Sequence, residues 1–184
     1  MKRFKSILLL TDDKQESRFA LKRAVDLTQR NQARLTAVGV LQDLPRDLRR
    51  LAAAVPFEDL RDIALQDPRE RLESFLAPFQ EQAPPLTLEV YCGKPFIEII
   101  RAVQRGQYDL VMMTAEGSSG LPEMLFGSTS LHLMRKCPCP VWVLKPSTEA
   151  RFVRILAAVD PDPLDVVRDG VNTKILDLAT SLPE

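Results

Sequence analysis

Apolar residues along this chain fall into two alternating kinds of run. Ile7-Leu8-Leu9-Leu10 is short and continuous and ends at Thr11-Asp12-Asp13, the pattern of a strand buried on both faces. Behind it Ala20, Ala24 and Leu27 repeat at helical spacing, with Leu21 and Val25 beside them. Leu35 to Leu41 (LTAVGVL) predicts a second strand, Leu86 to Tyr91 a third, Asp109 to Met113 a fourth and Val141 to Leu144 a fifth. Residues 42 to 85 are less regular. They contain a predicted helix opening at Asp67-Pro68-Arg69-Glu70, with Asp67 as cap, Pro68 in the first turn and Leu72, Phe75, Leu76 and Phe79 on one face. A further helix opens at Pro95, buries Phe96, Ile99, Ile100 and Val103, and stops at Gly106. Another runs from about Ser128 to Lys136. Strands that alternate with helices need a parallel sheet covered on both sides, so the predicted fold is a doubly wound α/β domain with three layers, α/β/α.

The opening pattern returns near the end. Residues 3–12 read RFKSILLLTD and residues 151–160 read RFVRILAAVD, sharing Arg, Phe, Ile, Leu and Asp in register. Val25-Asp26-Leu27 is echoed by Leu176-Asp177-Leu178. The expected organisation is one domain over residues 1–147, then the first strand and helix of an incomplete second repeat over 148–184. Such a fragment cannot bury a core of its own; it must dock, swap, oligomerise or stay loose.

Composition narrows the function. The 184 residues are 45% hydrophobic and 27% charged, with 25 basic and 25 acidic side chains, so no bulk field favours nucleic acid or an anionic membrane. No apolar run approaches the roughly 20 residues that span a bilayer. MKRFKSILLLTDD lacks the longer core and cleavage site of a signal peptide, and the expected location is the cytoplasm. The three cysteines do not imply a disulfide framework. Cys137-Pro-Cys139 lacks the C-x-x-C form and reads as two small residues entering a buried strand. His132 is the single histidine, which leaves a Ser-His-Asp triad or a histidine metal site without parts; it reads as a surface helix residue. Asp12-Asp13 reads as a polar strand end, and RDLRR at 46–50 as a solvated helix face, since no aromatic residues interleave with it.

Ligands of open α/β sheets bind beyond the carboxyl ends of the strands, where the winding changes direction. The first strand ends at Asp12 and the fourth at Thr114, so neighbouring positions for those strands would bring Asp12 and the 114–128 loop to one crevice. Gly117, Gly120 and Gly127 would let backbone N–H groups approach an anion, and the helix after Gly127 would add its positive end. There is no G-x-G-x-x-G after the first strand and no Walker lysine in the loop. Two readings therefore stand: a loop that wraps a phosphate chain, or a turn in which Ser128 serves only as a helix cap.

Closer matches lie in ILLLTD followed by Ser17 and Ala20-Leu21, in YDLVMMT, in Gly-Ser before a helix, and in CPCPVWVLK. Together these resemble the universal stress protein family, specifically its tandem-domain type, over residues 3 to 145 with a restart at 151. The resemblance implies a five-stranded parallel sheet of the adenine nucleotide alpha hydrolase-like kind. It also implies a stress-response role without dedicated catalysis, a slow ATPase or nucleotidyl-transferring relative being the weaker alternative. Partners would be a second copy of the chain, met through Val141–Leu144 or the 151–184 segment, with no nucleic acid and no membrane. Nucleotide-binding members carry Gly-x2-Gly-x9-Gly-Ser/Thr. Gly117 matches its second glycine and Gly127-Ser128 its end, whereas Thr114 stands at the first glycine. By resemblance the ligand is ATP or AMP. Asp12 and the Val40 backbone would meet the adenine, and Gly117, Gly127, Ser128 and Thr129 the ribose and phosphates. Glu116 replaces a residue often basic in binders. It would repel a phosphate by about 1 kcal/mol at 4 Å in water, or share a divalent cation such as Mg²⁺ with it. A degenerate loop used only in folding, within a dimerisation module, is the alternative.

Overall fold

The structure, a computed structural model, describes residues 3–50, 55–81, 85–115, 127–145, 154–160 and 166–181. The chain divides into two compact units, Lys2–Pro146 and Ser147–Glu184. The first contains β1 (Ser6–Leu10), α1 (Ser17–Asn31), β2 (Arg34–Leu41), α2 (Arg46–Arg50), α3 (Phe57–Gln80), β3 (Leu86–Cys92), α4 (Pro95–Gly106), β4 (Leu110–Thr114), α5 (Ser128–Lys136) and β5 (Val141–Leu144). The strands form one parallel sheet in the order β3-β2-β1-β4-β5. This is the doubly wound, three-layer fold that the alternating pattern predicts.

Alternation along each strand sorts the core into two layers. Leu8, Val38, Val111 and Met113 pack with Ile99, Ala102 and Val103 of α4 and Leu133 of α5. Ile7, Leu9, Leu35, Ala37 and Met112 point the other way, toward the α1 and α3 layer, and are fully buried. Gly39 of β2 belongs to that second layer: a Cβ there would stand 2.3 Å from Leu72 Cδ1, so the missing side chain is what lets α3 settle on the sheet.

Three local expectations are corrected. The 67–79 helix begins ten residues earlier in register, at Phe57, and Pro68 lies inside it with Pro78. An internal proline costs about 3 kcal/mol in a helix, but Leu60 and Ala64 are buried on the stripe that Leu72, Phe75 and Leu76 continue, and that burial outweighs the lost hydrogen bond. Gly106 is the last residue of α4, and the left-handed residue beyond it is Gln107, at φ 50°. Glycine is needed at 106 for a different reason: a Cβ would lie 2.3 Å from the Tyr108 ring. Asp109 precedes β4 instead of opening it, and its carboxylate accepts the N–H groups of Lys5 (2.6 Å) and Ser6 (3.2 Å).

That contact belongs to a set closing the amino-terminal rim of the sheet. Asn31 Oδ1 accepts from the N–H groups of Arg3 (2.9 Å) and Phe4 (3.1 Å), and Arg34 Nε donates to Ser6 Oγ at 2.7 Å. Backbone groups entering the sheet are thus satisfied by side chains at that end.

In the second unit the helix α6 spans Val166–Ser181. The expected strand is not found among the described residues: 154–160 pair with no other strand. A strand is stable only in a ladder, and the end of this segment hydrogen-bonds to α6. Asp160 N–H donates to Asn172 Oδ1 at 3.0 Å, and Asn172 Nδ2 donates back to the Asp160 carbonyl at 2.6 Å.

Candidate functional site

β1 pairs with β2 on one side and β4 on the other, and α1 leaves β1 for the opposite face from α4 and α5. The carboxyl ends of β1 and β4 therefore form the switch point of the sheet, where two outgoing chains part and leave a crevice. Leu10 lies opposite Met113, so Asp12 and Thr114 emerge on adjacent strands at the same rim. Because β4 and β5 are parallel, α5 must run back across the sheet, which sets Gly127 and Ser128 at that rim as well.

Asp12 organises the turn after β1. Its Oδ1 accepts the Ser17 hydroxyl and the Lys14 N–H (3.2 Å), while Oδ2 faces Lys14 Nζ at 3.2 Å. The side chain is 44% exposed. The turn is tied to α3 by Asp13, 3.1 Å from Arg71 Nε, and by Arg18 over the Phe75 ring. Sequence reasoning singled out Asp12 but gave Ser17 no role; the serine's spacing after the acid was the available signal.

Thr114 ends β4 opposite Leu144. Its Oγ1 is buried and, among the described residues, has no hydrogen-bond partner. A hydroxyl left so costs about 1–3 kcal/mol unless something else satisfies it. The position at which the motif has glycine thus presents a buried polar atom at the head of the loop. Gly117 and Glu116 lie outside the described residues.

Beyond the loop the cap is Gly127, in extended conformation, and not Ser128. The Gly127 carbonyl accepts Ser130 Oγ at 2.8 Å and Leu131 N–H at 3.2 Å. Ser128 is the exposed first residue of α5, and Thr129 behind it is buried. With the cap made by a glycine, the Ser128 hydroxyl is left at the positive end of the helix. Val40, near the end of β2 opposite Tyr91, is half-buried and packs on the α4 layer through its side chain, so only its backbone faces the rim.

Register sets Asp12 and Thr114 at one rim with Val40 near the end of β2, and the winding directs the start of α5, Gly127 to Thr129, toward that same end of the sheet. His132 lies on the exposed side of α5, stacked on Phe96 at 4.4 Å. Among the described residues no cluster of three metal-ligand side chains occurs, and no helix is long and apolar enough to cross a membrane.

Known proteins agree with this architecture. The model of the universal stress protein family matches residues 3–145. Universal stress protein E of Salmonella typhi is 26% identical over all of this chain and 59% of its own length, and the Haemophilus influenzae homologue is 25% identical over 99% of the chain and 60% of its own. The chain therefore spans less than two thirds of these relatives. Among solved structures, universal stress protein UspA from Lactobacillus plantarum superposes with a TM-score of 0.61 at 27% identity, covering 77% of this chain and 98% of that one. A universal stress protein in complex with cAMP matches at 0.52 and 17% identity over 78% and 98%, and a putative one from Pseudomonas aeruginosa at 0.56 and 18% over 97% and 53%.

Proposed function

The chain belongs to the universal stress protein family, and from that premise we propose that it binds an adenine nucleotide, ATP or AMP, in the crevice between β1 and the 114–128 loop. One observation carries the reading: Asp12 and Thr114 leave adjacent strands at the switch point, and the buried Thr114 hydroxyl has no partner among the described residues. A ligand edge entering there would satisfy that hydroxyl. Asp12, which is partly exposed, would accept from the ribose or the exocyclic amine, and the Val40 backbone would read the base edge. Gly127, Ser128 and Thr129 at the start of α5 would receive phosphate oxygens, as helix N-termini do. Gly117 would complete the loop, and Mg²⁺ would be needed for a triphosphate so that Glu116 shares a cation with the phosphates instead of repelling them. The cAMP bound by one structural neighbour belongs to the same ligand class.

The proposed role is a stress-response module of the cytoplasm that senses or stores the nucleotide, with no dedicated catalysis. Residues 148–184 open a second repeat in this reading, supported by the length of the relatives and by the P. aeruginosa match over 97% of the chain. Isothermal calorimetry with ATP and AMP, with and without Mg²⁺, tests the site; an absence of heat at millimolar nucleotide overturns it.

A second reading rests on β5. This strand closes one edge of the sheet and carries Val141, Trp142 and Val143 half-buried. An edge of that kind invites a matching strand, so the chain would act as a homodimerisation module through Val141–Leu144, or through 151–184, with a degenerate loop. Light scattering would then give a dimer whose mass is unchanged by nucleotide; a monomer at high concentration rules it out.

A further inference from the structure

The turn between α5 and β5 carries Cys137 and Cys139 on either side of Pro138, and it brings their Sγ atoms to 3.7 Å. Both side chains are half-buried against the α4 and α5 layer of the core. The turn is anchored at each end: Cys137 N–H donates to the Leu133 carbonyl at 2.9 Å, and the Pro140 carbonyl accepts Val111 N–H at 3.0 Å. Pro138 fixes one backbone angle between them. A helix end and a sheet strand therefore hold the two sulfurs within reach of one another, at the opposite rim from Asp12.

The pair is also unequal. The hydrogen bond shared by the two sulfurs, with the Cys139 N–H, brings the Cys137 thiol down to about 7. The same hydrogen bond, with burial, pushes Cys139 up. Cys137 is thus the more readily ionised sulfur and Cys139 the one that holds its proton, the arrangement of an attacking and a resolving cysteine. Cys92, the remaining cysteine, ends β3 on the far edge of the sheet and is pushed up by burial. Among the described residues no third ligand joins the pair to make a metal cluster.

We propose that Cys137 and Cys139 are an oxidant-responsive dithiol, closing to a disulfide when the protein meets a hydroperoxide. The Cys137 thiolate, having given its proton to solvent, attacks one peroxide oxygen; the O–O bond breaks, the leaving hydroxide takes up that proton to become water, and Cys137 becomes a sulfenic acid. The Cys139 sulfur then attacks the Cys137 sulfur. The S–O bond breaks, and the departing hydroxide leaves as water with the Cys139 proton. Two thiols lose two electrons and two protons, and hydrogen peroxide becomes two waters. Closing the bond requires the sulfurs to move from 3.7 Å to about 2.05 Å, a shift within the 137–140 turn. The product would lock the end of α5 to the start of β5. This response is independent of nucleotide binding.

The test treats the full reduced chain with hydrogen peroxide and counts thiols by Ellman's reagent and intact mass. Expected are the loss of two of the three thiols, a mass lower by two hydrogens, and a bridged peptide linking 137 and 139. Cys139→Ser should stall at a sulfenic acid on Cys137 that dimedone traps, and Cys137→Ser should slow the peroxide reaction at least tenfold. Phenylarsine oxide, which bridges close dithiols, should bind one to one to the reduced wild-type chain, a readout that needs no variant to fold. Oxidation at Cys92 ahead of the pair, disulfide-linked chains with 137 and 139 still free, or failure of the arsenical to bind would overturn the proposal.

Discussion

Leu72 of α3 lies directly over Gly39 of β2, with its Cδ1 where a side chain at position 39 would begin, 2.3 Å from a Cβ placed there. Gly39→Ala should therefore overpack the layer. The expected loss is about 1–3 kcal/mol, read by urea unfolding. Leu72→Ala alone should cost about 2–5 kcal/mol through the cavity it leaves. In the double variant the new methyl enters the vacated space, so the two losses should fall short of their sum. Strict additivity would show that the two residues do not meet in solution.

Asp12 has a structural duty and a proposed binding one, and Ser17 separates them. Ser17→Ala removes the hydroxyl that donates to Asp12 and should lower stability by about 1 kcal/mol while leaving nucleotide affinity within about threefold. Asp12→Ala should lower stability by a similar amount and weaken nucleotide at least tenfold. Equal effects of both variants on calorimetric affinity would assign Asp12 to the turn alone.

Thr114→Val replaces the unpartnered buried hydroxyl with a methyl of the same shape. Without ligand, the variant should be as stable as the parent or more stable by up to about 1 kcal/mol, because an unsatisfied polar atom is removed. With nucleotide the order should reverse, affinity falling several-fold. A variant that is destabilised and binds normally would mean that the hydroxyl is satisfied within the protein.

The two thiols bias stability in opposite directions with pH. Cys137 is lowered from an ordinary 9.0 to about 7, so its favourable contribution is absent below that value, grows as pH rises and is complete above 9. Cys139 is raised, so its contribution is full below 9 and declines as pH climbs beyond it. Relative to Cys137→Ser, the reduced protein should gain stability between pH 7 and 9, measured by chemical unfolding under argon. Iodoacetamide should modify Cys137 at a rate that reaches half its plateau near pH 7, well before Cys92 reacts. A Cys137 rate still climbing steeply at pH 9 would contradict the polarised pair.

Much of the fold was legible because burial on both faces leaves no room for polar residues. Ile7 to Leu10 and Leu35 to Leu41 were readable as strands from that fact, and Val141 to Leu144 from its short apolar run although it lies half-buried at the sheet edge. The start of α3 was not, since Pro68 looks like a beginning until Leu60 and Ala64 are seen buried on its own stripe. Nor was the left-handed turn at Gln107, where glycine's usual place was taken by a residue the backbone could force into that shape. At the crevice, Asp12, Gly127 and Ser128 were visible as types in a pattern. The capture of Asp12 by Ser17, the stranded Thr114 hydroxyl and the approach of Cys137 to Cys139 depend on contacts that no linear spacing specifies.

The middle position of β1 sets a timetable for synthesis. As the chain leaves the ribosome, β1 can be joined by β2 and β3 early, but its other flank stays bare until residues 110–114 arrive. A half-built sheet with its most apolar strand uncovered is open to wrong pairing. Because the crevice exists only once β4 has filled that flank, a ligand held there could recognise chains grown past residue 114 and none shorter.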